Sequence, residues 1–128
     1  MRLLLDTHVA LWAVSAPEEL STAAREAIVG AEALHLSVVS PWELVIKAAL
    51  GKIVLHRPVA DLCRELEREF GVHSLPVALP HVLEVGRLPP HHGDPFDRLL
   101  LAQARVEGLT IVTRDAVFAE YGAPIVRA

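Results

Sequence analysis

The chain has 128 residues, 52% of them apolar, and a formal net charge of −4, enough for one hydrophobic core and no separate regulatory module. No apolar run approaches the ~20 residues that a membrane span requires. Cys63 is alone, which excludes an intrachain disulfide and points to the cytoplasm.

Arg2 to Leu5 is a short apolar run ended by Asp6, the pattern of a fully buried central strand. Reaching an acid after three leucines, it falls short of the ~7–15 apolar residues of a signal peptide. His8 to Val14 has helical period, and Ser15-Ala16-Pro17 breaks it. Ser21 is the expected N-cap of a second helix reaching about Ala31, and Leu34 to Val38 alternates as a second strand. Ser40-Pro41-Trp42-Glu43 predicts a helix start with a capping box, the helix ending at Gly51. Val59 to Phe70 is amphipathic and stops at Gly71; Val72 to Leu75 reads as strand three and Ala78 to Arg87 as a short helix. A loop over 88–93 precedes Asp94-Pro95, which opens a helix through Glu107, closed by Gly108. Leu109 to Val112 is the fourth strand, Asp115 to Tyr121 a last short helix, and Pro124-Ile125-Val126 an edge strand. Strands alternating with helices predict a three-layer α/β/α fold over residues 1–128, with a mainly parallel sheet of about five strands.

Asp6, Glu43, Asp97 and Asp115 each fall where a strand, or the turn after it, passes into a helix. In an open α/β sheet these crossings share one edge, the crevice beyond the carboxyl ends of the strands where such folds bind ligands. Each acid also has a simpler reading. Asp6, Asp94 and Asp115 can cap helices, Asp97 sits at the third position behind Pro95, and Glu43 completes the box with Ser40. As a set, converging carboxylates suit a hard cation, Mg²⁺ or Mn²⁺, with waters completing its shell. Helix N-termini aimed at the same crevice favour a phosphate. The acidic net charge counts against nucleic acid, although with those four acids committed to a metal the other 12 balance the 12 basic residues.

The segments Leu4-Leu5-Asp6-Thr7-His8, Ser40-Pro41-Trp42-Glu43, Asp94-Pro95-Phe96-Asp97-Arg98-Leu99-Leu100-Leu101-Ala102-Gln103-Ala104 and Val112-Thr113-Arg114-Asp115 resemble the PIN domain, and within it the VapC-type toxins of toxin–antitoxin pairs. The resemblance covers essentially the whole chain. It implies a small nuclease that cuts RNA with Mg²⁺ or Mn²⁺, a homodimer, silenced by an antitoxin encoded beside it. The family's acids map onto Asp6, Glu43, Asp97 and Asp115, and Thr113 matches a hydroxyl that supports the metal or its water. The family more often carries Asn where this chain has His8.

Among the remaining residues, Asp94 is expected to cap its helix close to the site. Arg98 and Arg114 either bind phosphate or pair with surface carboxylates. His91 and His92 read as exposed loop residues, or as contacts to RNA near the cleft, because adjacent histidines rarely point the same way and no further ligands complete a zinc set. Trp12 and Trp42 are expected in the core or a dimer interface, and Cys63 as an inert member of an apolar stripe. A receiver-like signalling domain would want a lysine after a late strand, and Lys47 and Lys52 lie in or after the third helix. A phosphatase using Asp6 as nucleophile would want a second acid where His8 stands, and no serine has nucleophile-elbow glycines around it. A degenerate binding-only PIN fold would be expected to lack some of the four acids, and all are present.

Overall fold

A computed structural model describes residues 1–128. Strands β1 (Arg2–Leu5), β2 (Ala33–Ser37), β3 (His73–Leu75), β4 (Thr110–Thr113) and β5 (Ile125–Arg127) form one sheet in the order β3-β2-β1-β4-β5. Every pairing is parallel, with Leu3 opposite Leu34 and Thr110, and Leu5 opposite Val112. The connections are helices α1 (Thr7–Ser15), α2 (Thr22–Val29), α3 (Val39–Ala49), α4 (Val59–Phe70), α5 (Leu79–Val85) and α6 (Pro95–Glu107). The segment Ala116–Tyr121 is a 3-10 turn rather than an α-helix.

The apolar run of β1 divides by the period-two rule of strands. Leu3 and Leu5 join Val112 in a core with Val9, Ala10 and Ala13 of α1, Ala24 and Ile28 of α2, and Leu66 of α4. Leu4 joins Ile111 on the opposite face, against Leu100, Leu101 and Ala104 of α6. These two cores are the two interfaces of a three-layer sandwich, and a strand buried on both faces needs a continuous rather than an alternating apolar run. Helix α4 ends at Gly71 (φ 65°) and α6 at Gly108 (φ 68°), both in the left-handed region that a residue with a Cβ rarely adopts.

The expected start of α3 needs correction. The helix begins at Val39, and the hydroxyl that accepts its first free amide belongs to Ser37, 3.1 Å from Val39 N. Ser40 lies inside the first turn, is buried, and forms no capping box with Glu43. Val38 N is meanwhile held by Leu75 O at 3.0 Å, so pairing with β3 sets where β2 ends and α3 begins. Trp42 also departs from the core reading: it is exposed and meets the Phe96 ring edge-on at 5.1 Å.

β1 neighbours both β2 and β4: the chain runs outwards from β1 through β2 to β3 on one side, and from β4 to β5 on the other. The carboxyl ends of β1 and β4 therefore flank the crevice that such a switch point creates. Asp6 follows β1 directly, and Asp115 stands two residues beyond β4.

Candidate metal centre

An open cleft of about 450 Å³ lies at this switch point, lined by Asp6, His8, Trp12, Glu43, Lys47, Asp94, Asp97, Arg114 and Asp115. Asp6, Glu43, Asp97 and Asp115, taken from four separated stretches of sequence, thus share one wall-to-wall space. Each is oriented by a different local device. Asp6 occupies the N-cap position of α1 but makes no side-chain cap; its Oδ2 instead accepts the Thr113 hydroxyl at 2.7 Å. That same hydroxyl oxygen accepts the Asp115 amide at 3.0 Å, so Thr113 ties the β1 and β4 ends of the site together. Asp115 uses Oδ1 to accept Val117 N at 2.9 Å, which leaves Oδ2 facing inwards.

Glu43 is 2% exposed, and its Oε1 accepts the Thr7 hydroxyl at 2.7 Å. Thr7 Oγ1 is also 2.8 Å from Ser40 Oγ, which gives the hydroxyl of Ser40 its use. On α6 the two acids divide the work. Asp94 Oδ1 accepts Phe96 N at 2.8 Å and Asp97 N at 3.4 Å and is the cap, whereas Asp97, one turn inside, turns its carboxylate to the cleft. The capping readings therefore hold for Asp94 and Asp115 and fail for Asp6 and Glu43.

Electrostatics follows from this crowding. Burial pushes the Asp97 carboxyl up from 3.8 to about 7, with the charges of Asp6, Asp94 and Glu43 adding to the effect and His92 opposing it. Asp6 is raised too, by burial, while the Thr113 hydrogen bond and His8 act in the other direction. A site in which Asp6 and Asp97 resist ionisation is short of positive charge. Its lining is predominantly hard carboxylate oxygens, the chemistry that Mg²⁺ and Mn²⁺ require, and inward oxygens of Asp97 and Asp115 lie within 4.8 Å of one another. The residues present fit such an ion.

Comparison with known proteins agrees with this geometry. The PIN domain family model matches residues 3–124. The chain belongs to the PIN domain family. Ribonuclease VapC22 from Mycobacterium tuberculosis (strain ATCC 25618 / H37Rv) is 35% identical over 119 residues, covering 88% of this chain and 85% of that protein. Solved structures share the fold at lower identity. The DNA-bound VapBC structure from Salmonella typhimurium superposes with a TM-score of 0.70 at 17% identity, over 99% of this chain and 98% of that one. VapBC-5 from Mycobacterium tuberculosis gives 0.64 at 22% identity, over the full length of both chains.

The basic residues of this PIN domain are placed less predictably than its acids. His92 is not an exposed loop residue: its side chain is 15% exposed, with Nε2 2.8 Å from Asp115 Oδ2 and 3.0 Å from Asp97 Oδ2. Asp94 N donates to its Nδ1 at 3.1 Å, which puts the ring proton on Nε2 and makes His92 a donor to the two acids. His91 is exposed, edge-on to Tyr121 at 5.1 Å. Arg98 pairs with no surface acid. Its guanidinium donates to Pro89 O (2.9 Å), Val85 O (3.1 Å) and Leu88 O (3.2 Å), and so fastens the loop that carries His92. Arg114 stays at the cleft, its guanidinium 4.1 Å above the Trp12 ring and its NH1 3.6 Å from Glu19 Oε2. Trp12 is half-buried, packed against the core beneath α1 while it also lines the cleft wall. Lys47, unassigned from the sequence, reaches Glu43 Oε2 at 2.5 Å; the Glu-to-Lys spacing of four on a helix was the available signal. Cys63 is half-buried on α4, and burial pushes its thiol up, consistent with an unreactive side chain.

Proposed function

We propose that this chain is the toxin ribonuclease of a toxin–antitoxin pair, hydrolysing RNA phosphodiester bonds with Mg²⁺ or Mn²⁺ held by Asp6, Glu43, Asp97 and Asp115. The observation that carries the reading is the convergence of those four acids at the switch point, with Asp97 pushed up to about 7 by burial among like charges. The 35% identity to a curated ribonuclease supports RNA as the substrate. When bound, the ion supplies an activated water and a counter-charge for the phosphoryl oxygens. The chain's own residues do the positioning. Thr113 holds Asp6 and Asp115, Thr7 holds Glu43, and Arg114 offers a fixed positive charge at the rim.

A cognate antitoxin has a place to bind. Trp12 borders the acidic cleft on one side and, on the other, a mainly apolar groove of about 480 Å³ with Leu11, Val14, Val54, Leu55 and Leu62. An amphipathic segment laid there would bury apolar surface and bring a basic side chain to the acids. Exposed Trp42, Val45, Leu79 and Leu83 supply apolar surface for a homodimer. No helix is long and apolar enough to cross a membrane, and the proposed site of action is the cytoplasm.

Purified protein should cleave RNA with Mg²⁺ or Mn²⁺ and stop with chelator. Asp6→Asn and Asp97→Asn should each lose at least ~100-fold in rate, since the amide keeps the shape and loses the charge. Near-wild-type cleavage by both would reject the site. Expressed alone in a bacterial host the protein should arrest growth, and co-expression of its genomic neighbour should relieve the arrest. Harmless expression of an RNA-cleaving protein would leave a nuclease without a toxin role.

A further inference from the structure

A glutamate and a lysine four residues apart on the outside of a helix are an ordinary surface pair. Glu43 and Lys47 are not on the outside. Glu43 is 2% exposed, and the Lys47 side chain, 24% exposed, lines the cleft together with Asp6, Asp94 and Asp97. Its Nζ lies 2.5 Å from Glu43 Oε2, so Lys47 sets an ammonium inside an acidic cleft.

The two cations of the cleft are held differently. Arg114 is fixed by the Trp12 ring, by the Glu19 backbone oxygen and by Ala128 O at 3.4 Å. Lys47 has one hydrogen-bond partner, Glu43 Oε2, at the end of a flexible four-carbon stem. With a divalent cation held at the same carboxylate, like-charge repulsion would loosen the Lys47–Glu43 pair. A phosphodiester entering this cleft meets Asp6, Glu43, Asp94, Asp97 and Asp115, so its charge has to be met from the protein as well as from a metal.

We propose that Lys47 is a substrate-phosphate contact of this site, neutralising Glu43 in the resting protein and transferring its ammonium to a phosphodiester oxygen when RNA binds. The proposal rests on the ribonuclease reading above and adds a residue to it. It separates from a purely structural salt bridge because it moves two affinities in opposite directions.

The test compares wild type, Lys47→Met and Lys47→Arg at full length. Binding of Mn²⁺ alone, followed by the electron paramagnetic resonance of the free ion, should tighten in Lys47→Met, since a competing cation is gone. Cleavage of a single-stranded RNA oligonucleotide should show KM raised roughly 10-fold, and the slope of log(kcat/KM) against log[salt] should lessen by about 0.7, the loss of one phosphate contact. Lys47→Arg should restore most of the KM and the slope. Unchanged KM and slope in an active Lys47→Met protein would overturn the Lys47 assignment alone, as would weaker Mn²⁺ binding accompanied by a lower melting temperature. An inactive wild type would overturn the ribonuclease reading and this inference with it.

Discussion

Replacing Asp97 with asparagine removes the charge that the cleft tolerates least. The folded protein keeps a proton on this carboxyl up to about pH 7, whereas an unperturbed Asp releases it near 3.8. Between those values the folded chain binds more protons than the unfolded one, so stability falls as pH rises through the window and levels off above it. Asp6, also raised, contributes in the same direction. The Asp97 side chain is 16% exposed, and the interval corresponds to a ceiling of roughly 4 kcal/mol. Rearrangement of the open cleft and solvent ions reduce this, so a loss on the order of 2 kcal/mol between about pH 4 and pH 8 is expected for the metal-free wild type. Asp97→Asn should flatten that slope. The lost charge at the helix start costs only ~0.3–1 kcal/mol, so the variant should be the more stable protein above neutrality. Mn²⁺ at 100-fold over its Kd should add about 2.7 kcal/mol to the wild type and far less to the variant. Urea or thermal melts at about pH 5 and pH 8, with and without Mn²⁺, read all of these differences. A variant that melts lower under every condition, with Mn²⁺ shifting both proteins equally, would make Asp97 part of the helix start and nothing more.

Thr113→Val keeps the shape of a fully buried side chain and deletes the hydroxyl between Asp6 Oδ2 and Asp115 N. It should cost ~1–3 kcal/mol of stability through the unpaired groups and raise Asp6 further, so Mn²⁺ titrations near pH 7 should show weaker binding; unaltered binding would remove Thr113 from the site. Arg98→Met should cost about 1.5–3 kcal/mol by stripping charged donors from the carbonyls of Val85, Leu88 and Pro89, and hydrogen exchange should quicken at residues 88–92. Unchanged exchange there would show that the loop is held by other contacts.

The strands and helices were legible in the sequence because their signals are local. An apolar run buried on both faces, helix-stopping glycines and Asp94 before Pro95 depend on period, backbone freedom and one cap, all within a few residues. The gathering of Asp6, Glu43, Asp97 and Asp115 was legible for a related reason: strand ends in a parallel α/β sheet share an edge, so the position of an acid after a strand places it in space. What lay beyond the sequence was the choice of partner. Ser40 looks like a cap, yet Ser37 takes that role, because the hydrogen bond from Val38 N to Leu75 O ends β2 where α3 must begin. Ser40 is thereby turned towards Thr7. Either histidine of the 91–92 pair could have faced the acids. Tyr121 accepts His92 N at 2.7 Å, and Arg98 clamps the loop, which together select His92. Arg98 itself neighbours Asp97 in sequence but finds backbone carbonyls within reach. A hydroxyl, imidazole or guanidinium bonds to whatever complementary group the fold sets about 3 Å away. That group can be as far along the chain as Thr113 is from Asp6, and only the assembled sheet brings such pairs together.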